Sequence, residues 1–514
     1  MLSTKLLSLV PQPTLLNALL AVLSYIALRA LYQIIKYRLL HPLRTFPGPF
    51  WGSVTRLWVG YHNLKQDELE LELALHRKHG KIIRITPTLL MVSDPTALPL
   101  IYHRSADKSQ HYITGSFGKV ETLFNMQPHR EHAHFRKYAA GPYSFSNIKK
   151  MEPNIDAGIA GWALKLDKFA ASGERFDFAL WSTFFAYDVI SDIGFGAPFG
   201  FVESESDVGG LIQGIHDGMP VFGLLARLYP FTNALKNTWI GERFLVAKSS
   251  DNSGIGVLMR FRDKLFAARK EAIKAGTVGD RVDLLQTFLN ARTEEGDPLS
   301  DEWIKAEILL VLLAGADTTG TAFAAMMFYL QQAPEVYERM VAEIDAASRA
   351  GQLSAVPQYD EVVAHLPYYI AVVKEAMRLC PSAPNIFPRL VGKGGVQIDG
   401  RFIPEGTEVT CNPWILGRDK GLYGEDAEVF RPERWLEDEE RRKRFEKYSM
   451  VFGYGSRVCL GKDIAHMELF KGPVHFFRSF KPLMAGERPG RLVVAGGVGY
   501  FADQWMRLEK RTLA

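Results

Sequence analysis

The stretch Phe452–Gly461 has the sequence FGYGSRVCLG. It places Cys459 among three glycines, with Arg457 two residues before the cysteine. Glycine takes backbone turns that other residues resist, and it leaves room for a flat, bulky group against the chain. A loop that exposes amide N–H groups around a sulfur stabilises the thiolate. The next segment, Lys462 to Phe470, is predicted to begin a helix, whose positive N-terminal end favours the same anion.

The complete spacing F-G-x-G-x-R-x-C-x-G resembles the haem-binding loop of the cytochrome P450 monooxygenases. The resemblance implies that the cofactor is haem b (iron protoporphyrin IX) and that Cys459 is the proximal thiolate ligand of its iron. It also implies that Phe452, Arg457 and Gly461 lie beside the haem. Thiolate ligation donates electron density to the iron and favours O–O cleavage. The alternative, which an isolated cysteine would favour, is a buried structural cysteine in a glycine-rich loop.

Composition narrows the class of protein. The chain has 514 residues and no Ser/Pro/Gly-rich linker after about the first fifty, which predicts one large catalytic unit. A formal net charge of +4 argues against a dedicated nucleic-acid binder. Three cysteines are too few, and odd in number, for a disulfide framework. A reducing compartment is therefore expected.

The N-terminal segment predicts a membrane anchor. Residues 14–35 are mostly apolar and about long enough to cross a bilayer. Lys36, Arg38 and Arg44 follow, so the positive-inside rule keeps the bulk of the chain cytosolic. We expect an uncleaved anchor over residues 1–36, a basic and proline-rich hinge over 37–49, and the haem-thiolate catalytic domain over 50–514. A single-pass protein of the endoplasmic reticulum membrane follows; the alternative is an amphipathic helix lying in the interface.

Local patterns predict a mainly α fold with a smaller β-rich region (α+β), and the resemblance implies the cytochrome P450 fold behind a transmembrane helix. The segments Lys81–Ile85 and Leu89–Val92 flank Pro87 and predict a β-hairpin. Predicted helices cover Arg130–Tyr138, Phe184–Phe201, Asp283–Ala291, Glu335–Arg349 and Tyr369–Leu379. Predicted loops cover Tyr112–Phe124 and Gly218–Thr232, the second of which is apolar and contains two prolines.

Residues Asp301–Gln332 contain no proline and are apolar nearly all round, which predicts one long buried helix. At its centre lies Ala314–Thr319, with the sequence AGADTT. Small residues there let a flat group approach, with an acid and a hydroxyl beside it. The hexapeptide resembles the oxygen-activation motif of the cytochrome P450 family. The resemblance implies that Thr318 hydrogen-bonds the oxygen to be activated, that Asp317 belongs to the proton relay, and that Gly315 lies against the haem.

Further residues match the family's pattern. His132 and Arg136, four apart on one predicted helix, and Arg389, on a predicted strand, are implied to hold the haem propionates together with Arg457. Glu375, Arg378 and Arg434 resemble the family's buried charge network, and we interpret them as structural. The segments Asn412–Trp435 and Gly453–Asp463 look most like fungal members related to pisatin demethylase.

These resemblances predict a membrane-anchored, monomeric monooxygenase that hydroxylates, epoxidises or dealkylates an apolar small molecule in fungal secondary metabolism or detoxification. Because the chain has no flavin-binding segment, electrons are expected from NADPH–cytochrome P450 reductase, with cytochrome b5 as a further donor. Three alternatives stay open: a non-oxygenating haem-thiolate enzyme that catalyses rearrangement or dehydration, a haem-based gas sensor, and a membrane-tethered helical protein without haem. The basic residues between 441 and 447 are either a solvated surface or a dock for the reductase. No particular substrate can be named.

Overall fold

The structure is a computed structural model that describes residues 15–115, 120–252 and 254–512. Its helices are α1 (Leu15–Ile34), α2 (Phe50–Val54), α3 (Leu57–Lys65), α4 (Glu68–His79), α5 (Leu98–Ile101), α6 (His129–Ala140), α7 (Phe145–Lys150), α8 (Glu152–Ser172), α9 (Phe178–Phe195), α10 (Phe201–Ser204), α11 (Leu211–Arg227), α12 (Tyr229–Lys236), α13 (Trp239–Phe244), α14 (Ile255–Ala275), α15 (Leu284–Asn290), α16 (Asp301–Leu330), α17 (Pro334–Arg349), α18 (Tyr359–His365), α19 (Pro367–Leu379), α20 (Pro413–Leu416), α21 (Lys420–Tyr423), α22 (Glu439–Lys447) and α23 (Lys462–Ser479).

The strands form small sheets beside this helical body. They are β1 (Ile82–Arg84), β2 (Leu89–Val92), β3 (Phe176–Asp177), β4 (Arg389–Leu390), β5 (Val396–Ile398), β6 (Arg401–Ile403), β7 (Glu408–Thr410), β8 (Phe480–Met484), β9 (Arg491–Ala495), β10 (Val498–Ala502) and β11 (Trp505–Lys510). One sheet has the order β1-β2-β7-β4 with β2 and β7 parallel, another has the order β3-β11-β8, and β5-β6 and β9-β10 are antiparallel pairs. The predicted mainly α fold with a smaller β-rich region is confirmed.

Helix α16 runs through the largest hydrophobic core. Its first turn is capped by the Ser300 hydroxyl, which accepts a hydrogen bond from the Trp303 amide at 3.2 Å. Asp301 and Glu302 complement the positive end of the helix dipole. The helix packs against α9, α19 and α23, so residues from three other helices surround its middle. The predicted long buried helix is therefore confirmed, and it ends two residues earlier than expected.

Two glycines bring α16 unusually close to α9. A Cβ atom on Gly315 would lie 2.7 Å from Ile190 Cγ1, and one on Gly320 would lie 2.9 Å from Thr183 Cα. Both distances are too short for non-bonded carbon atoms, so these positions tolerate no side chain without a shift of the neighbouring helix. Helix packing therefore requires glycine at 315, and this residue faces α9.

The predicted charge network is present and buried. Arg378 donates two hydrogen bonds to the Glu375 carboxylate, at 2.8 and 2.7 Å, and Arg434 Nε donates a third at 2.9 Å. All three side chains are almost fully buried. Burial alone would raise the pKa of Glu375, but the bonds and charges from the two arginines hold it below its ordinary value. The network joins α19 to the segment that precedes the cysteine loop.

Three local predictions need correction. The segment 218–232 is not a loop, because it lies almost wholly within α11 and α12. The helix predicted over 184–201 begins at Phe178 and ends at Phe195, where Gly196 takes a left-handed conformation. The loop predicted over 112–124 begins as a 3-10 helix, Gln110–Gly115, and residues 116–119 lie outside the described residues. The predicted hairpin is confirmed, with Ile82 opposite Val92.

Two helices of the described chain are long and apolar enough to cross a membrane. One is the N-terminal segment Leu15–Leu40. The most apolar part of this segment is not buried against the rest of the protein, so the segment is a candidate membrane anchor. The other is α16, which is mostly buried in the core. The expected hinge at 37–49 is partly built into the body, because Leu43 and Phe46 are buried in the cluster around β1 and β2.

Candidate haem-binding site

The cysteine loop is held by backbone geometry. Gly453 and Gly455 have φ values of +77° and +69°, which side-chain-bearing residues rarely adopt. A Cβ atom on Gly455 would also lie 2.2 Å from the Tyr102 carbonyl oxygen, so glycine is required there for a second reason. The Cys459 amide donates to the Phe452 carbonyl at 2.8 Å and closes the loop. The loop thus presents the cysteine from a fixed backbone immediately before α23.

The Cys459 side chain is accessible although protein surrounds it. Such a side chain faces a space inside the fold. Burial raises the pKa of the thiol, while the amides of Gly461 and Lys462 and the charge of Arg136 act in the opposite direction. The amides therefore favour the thiolate as predicted from the sequence, but by themselves they do not overcome desolvation. A metal cation on the sulfur supplies the missing positive charge and deprotonates a coordinating thiol.

Basic side chains cluster near the cysteine loop, where Glu307 and Asp107 act on Lys108 and Arg457 only at longer range. They are Lys108, His132, Arg136, Arg389 and Arg457, and none forms an ion pair among the described residues. Burial and the four neighbouring cations lower the pKa of His132 to about 3. Burial and then Arg389 lower the pKa of Arg457 to about 10. Buried like charges repel, so the cluster is suited to a bound group that carries negative charge. The two propionates of haem fit this requirement.

Hydrogen bonds to the protein fix the positions of the three arginines in this cluster. Arg457 donates to the carbonyls of Met126 and Gln127 at 2.7 and 2.8 Å, which ties the cysteine loop to the segment before α6. Arg136 donates to the Val458 carbonyl at 3.0 Å, so α6 is also tied to the loop. Arg389 donates to the Tyr112 hydroxyl at 2.8 Å. The three arginines that the resemblance singled out therefore lie in one region.

Helix α16, which packs against the helix after the cysteine loop, has an accessible face in its middle. Ala314 is exposed although it lies in the middle of a helix buried in the core. Thr318, one turn later on the same face, is partly exposed, and its hydroxyl donates to the Ala314 carbonyl at 2.7 Å. With its proton donated to the helix, the Thr318 oxygen keeps lone pairs that accept a bond from a molecule in the space. Because α16 also packs against α23, this face and the cysteine loop belong to the same region of the fold.

Asp317 is buried beside this face and has partners that the sequence did not reveal. Its Oδ1 lies 3.3 Å from Nε2 of His216 on α11, and its Oδ2 has no hydrogen-bond partner among the described residues. The His216 ring stacks on Tyr500 with centroids 3.9 Å apart. Thr319 is buried, on another side of the helix.

The structure adds Lys108 and Tyr112 to the predicted site residues. Lys108 is buried, donates to the Phe124 carbonyl, and lies over the rings of Tyr112 and Phe124. Burial and then Arg389 lower the pKa of Lys108 well below its ordinary value. A lone lysine and a lone tyrosine outside any motif gave no signal in the sequence. Only the bridge between Lys108 and Arg389 places them at the site.

Phe452 and Gly461 are the predicted residues at the two ends of the cysteine loop. The Phe452 ring meets His466 edge-to-face, with centroids 5.0 Å apart, and packs against the main core. Gly461 caps α23, and its amide is directed to the cysteine sulfur. Contact of either residue with haem stays a prediction.

Comparison with known proteins gives one family. The family model described as Cytochrome P450 matches residues 45–493. Quiannulatic acid synthase of Emericella variicolor is 40% identical over 465 residues, which cover 88% of this chain and 90% of that protein. Cytochrome P450 monooxygenase gsfF of Penicillium aethiopicum is 35% identical over 457 residues, covering 86% and 88%. Cytochrome P450 monooxygenase aba1 of Botryotinia fuckeliana is 29% identical over 463 residues, covering 85% and 86%.

Proposed function

The chain belongs to the cytochrome P450 family of haem-dependent monooxygenases, and we propose that it is a membrane-anchored enzyme that oxidises an apolar small molecule of secondary metabolism. The observation that carries this proposal is the pairing of an accessible cysteine, in a loop fixed by Gly453 and Gly455, with a cluster of basic side chains that form no ion pair among the described residues. Hydroxylation, epoxidation and dealkylation are the reactions proposed. Relatives from Emericella and Penicillium, with names taken from such metabolism, support the choice of substrate class.

Haem, when bound, supplies the chemistry that activates O2 with two electrons and two protons. We propose that Cys459 holds its iron and that Arg136, Arg389, Arg457, Lys108 and His132 hold its propionates. Across this space, the Thr318 oxygen accepts a hydrogen bond from a water molecule and so orients it, because its own proton is donated to Ala314. Asp317, whose carboxyl is shielded from bulk water, passes the next proton to the site.

The experiment that tests this function is expression of the full chain with NADPH–cytochrome P450 reductase in a fungal host, compared with the Cys459→Ser variant. We expect a metabolite that appears only with the intact chain and that is either heavier by oxygen than a host compound or lacks one of its alkyl groups. Oxygenated acids belong among the products searched for, since one relative is named as an acid synthase. An isomer or a dehydrated compound would favour the non-oxygenating alternative, and haem reduction without any product would favour the sensor.

Thr318→Ala is expected to uncouple the enzyme. Removal of the hydroxyl takes away the group that orders protons at the site, so product per NADPH should fall roughly tenfold or more, with peroxide rising in its place. Haem content and thermal midpoint should stay close to those of the wild type. The matched control is Thr319→Ala, because Thr319 is adjacent, buried and on another side of α16. Wild-type coupling in Thr318→Ala would remove the threonine from the mechanism.

Deletion of residues 1–34 is expected to release much of the chain from membranes and leave a haem-binding body. The boundary matters, because buried Arg84 donates to the Tyr37 carbonyl at 2.9 Å, and this acceptor must stay. Some affinity for lipid should persist, since Leu57, Tyr61, Trp239 and Phe244 are exposed. A control that also deletes residues 35–37 should be less stable. Full membrane retention of the shorter deletion, measured by sedimentation, would contradict the role of α1.

The basic segment 441–447, considered above as a docking site for the reductase, has acidic neighbours that neutralise most of its charge. The basic run lies on α22, where Arg441 pairs with Glu437, and Lys443 pairs with Glu439 and Glu440. Five basic residues and four acidic ones between 438 and 447 leave this segment with a net charge of +1. An acidic partner surface would therefore meet a nearly neutral helix. We propose the reductase as the electron donor without assigning its dock to α22.

A further inference from the structure

The acid of the oxygen-activation motif is turned away from the face that Thr318 occupies. Adjacent residues of a helix are about 100° apart, and Asp317 is accordingly buried where α16 packs against α9 and β10. A proton that leaves Asp317 must be replaced from outside the protein. The groups around its carboxyl therefore decide how the proton arrives.

Two aromatic polar residues stand beside this carboxyl. Burial first, and then the Asp317 carboxylate, raise the pKa of Tyr187 well above its ordinary value, so the phenol keeps its proton. His216 differs from it, because its side chain keeps 16% exposure while that of Asp317 keeps 3%. Its Nε2 lies 3.3 Å from Asp317 Oδ1. Among the described residues it is the titratable side chain that both contacts Asp317 and stays partly exposed.

The position of His216 is fixed by stacking. Its ring lies nearly parallel to that of Tyr500, at 13° and 3.9 Å between centroids. Tyr500 belongs to β10, which packs directly against α16. Helix α11 itself packs against α14 and β9. The imidazole is thus stacked on a strand that contacts α16, with its Nε2 near Asp317.

We propose that His216 is the positioning and proton-relay partner of Asp317. A proton moves from His216 Nε2 to Asp317 Oδ1, and water at the exposed edge of the ring returns a proton to the imidazole. Rotation of the carboxyl group, whose Oδ2 has no hydrogen-bond partner among the described residues, then presents the proton to the site. This inference rests on the proposed function, because it supplies the protons that the oxidation consumes.

Two substitutions separate contact from proton transfer. His216→Phe keeps an aromatic ring to stack on Tyr500 and removes both nitrogens. His216→Gln keeps a hydrogen-bond donor for Asp317 and cannot relay a proton by titration. The matched control is His365→Phe, since His365 is a partly buried histidine at the end of α18. Measurements are product per NADPH, peroxide per NADPH, the solvent deuterium isotope effect on product formation, and the thermal midpoint.

Both His216 variants should lower product per NADPH about tenfold, with more peroxide and a larger solvent isotope effect, because proton delivery becomes slower. The midpoint should fall in His216→Phe and recover in His216→Gln. In a cycle with Asp317→Asn, the midpoint shifts should be non-additive, since residues in direct contact couple. His365→Phe should change none of these quantities.

Unchanged coupling and isotope effect in His216→Phe would overturn the proposal, as would a full recovery of coupling in His216→Gln, which would leave only a structural contact. Additive midpoint shifts would overturn the contact itself. This thermal cycle needs no turnover. It therefore reports on the contact even if the wild-type chain gave no oxygenated product, and that second result would count against the proposed function alone.

Discussion

Cys459→Ser should leave a folded protein that has lost the red-shifted ferrous–CO band of thiolate-ligated haem, and with it all product formation. The expected loss follows from chemistry, because a serine hydroxyl is a far weaker donor of electron density than a thiolate. The fold should survive, since the side chain faces an internal space and forms no part of a hydrophobic cluster. The measurements are the spectrum of the reduced, CO-treated protein and the thermal midpoint.

The control for this substitution is Cys380→Ser. Cys380 is buried, and burial raises the pKa of its thiol to about 12, so it does not offer a thiolate. Cys380→Ser should keep the red-shifted band even if some stability is lost. A red-shifted band in Cys459→Ser would mean that another residue ligates the iron.

Glu375→Ala should prevent accumulation of folded protein. The substitution leaves Arg378 buried without a carboxylate and Arg434 with Asp426 alone, and it removes acceptors from the Trp435 indole and the Arg431 amide. Breaking a buried ion pair in this way costs about 3–5 kcal/mol, which is a large part of the stability of a typical protein. The expected result is a low yield of haem protein, measured as haem absorbance per mole of chain.

A matched substitution on the surface separates this effect from simple loss of charge. Glu439→Ala removes a carboxylate that pairs with Lys443 on exposed α22, and exposed pairs contribute about 0–1 kcal/mol. Its haem yield should match the wild type.

The folded pKa of Glu375 is depressed, so its contribution to stability is present above the ordinary carboxyl pKa and is lost as pH falls through the folded value. A wild-type midpoint for Glu375→Ala would contradict the structural role.

The sequence predicted those parts of the fold whose signal is local. The cysteine loop is coded by glycines at fixed spacing, and α16 is coded by a long apolar run with a serine cap and no proline. The hairpin β1–β2 is coded by two short apolar runs around Pro87. In each case the residues that specify the element are also the residues that form it.

The prediction of a loop over residues 218–232 was wrong because glycine and proline in this segment have other roles, which depend on tertiary contacts and on position within a helix. Pro220 lies inside α11, and Pro230 lies in the first turn of α12, where an amide donor is not needed. A Cβ atom on Gly223 would lie 2.3 Å from the Asn63 side chain, so this glycine permits close packing against α3. Read locally, such residues indicate a loop.

The same limit applies to the site. Gly315 belongs to a motif. The structure shows that it also allows close helix packing, because a side chain at this position would collide with Ile190. Lys108 and His216 join the site only because distant segments meet, the first beside Arg389 and the second beside Asp317. Single charged residues outside a motif carry no signal of what they will face. The structure supplies that information.

The most direct measurement is an oxygen-isotope experiment on the metabolite that the intact chain produces. Membranes that contain the chain, the reductase and NADPH are incubated with the host compound under 18O2, and in parallel with 16O2 in H218O. A haem-thiolate monooxygenase should place one 18O atom from O2 in each hydroxylated or epoxidised product and none from water. Oxygen derived from water in a hydroxylated or epoxidised product, or a product that is only an isomer or a dehydrated form of the host compound, would contradict the monooxygenase mechanism proposed for Cys459, Asp317 and Thr318.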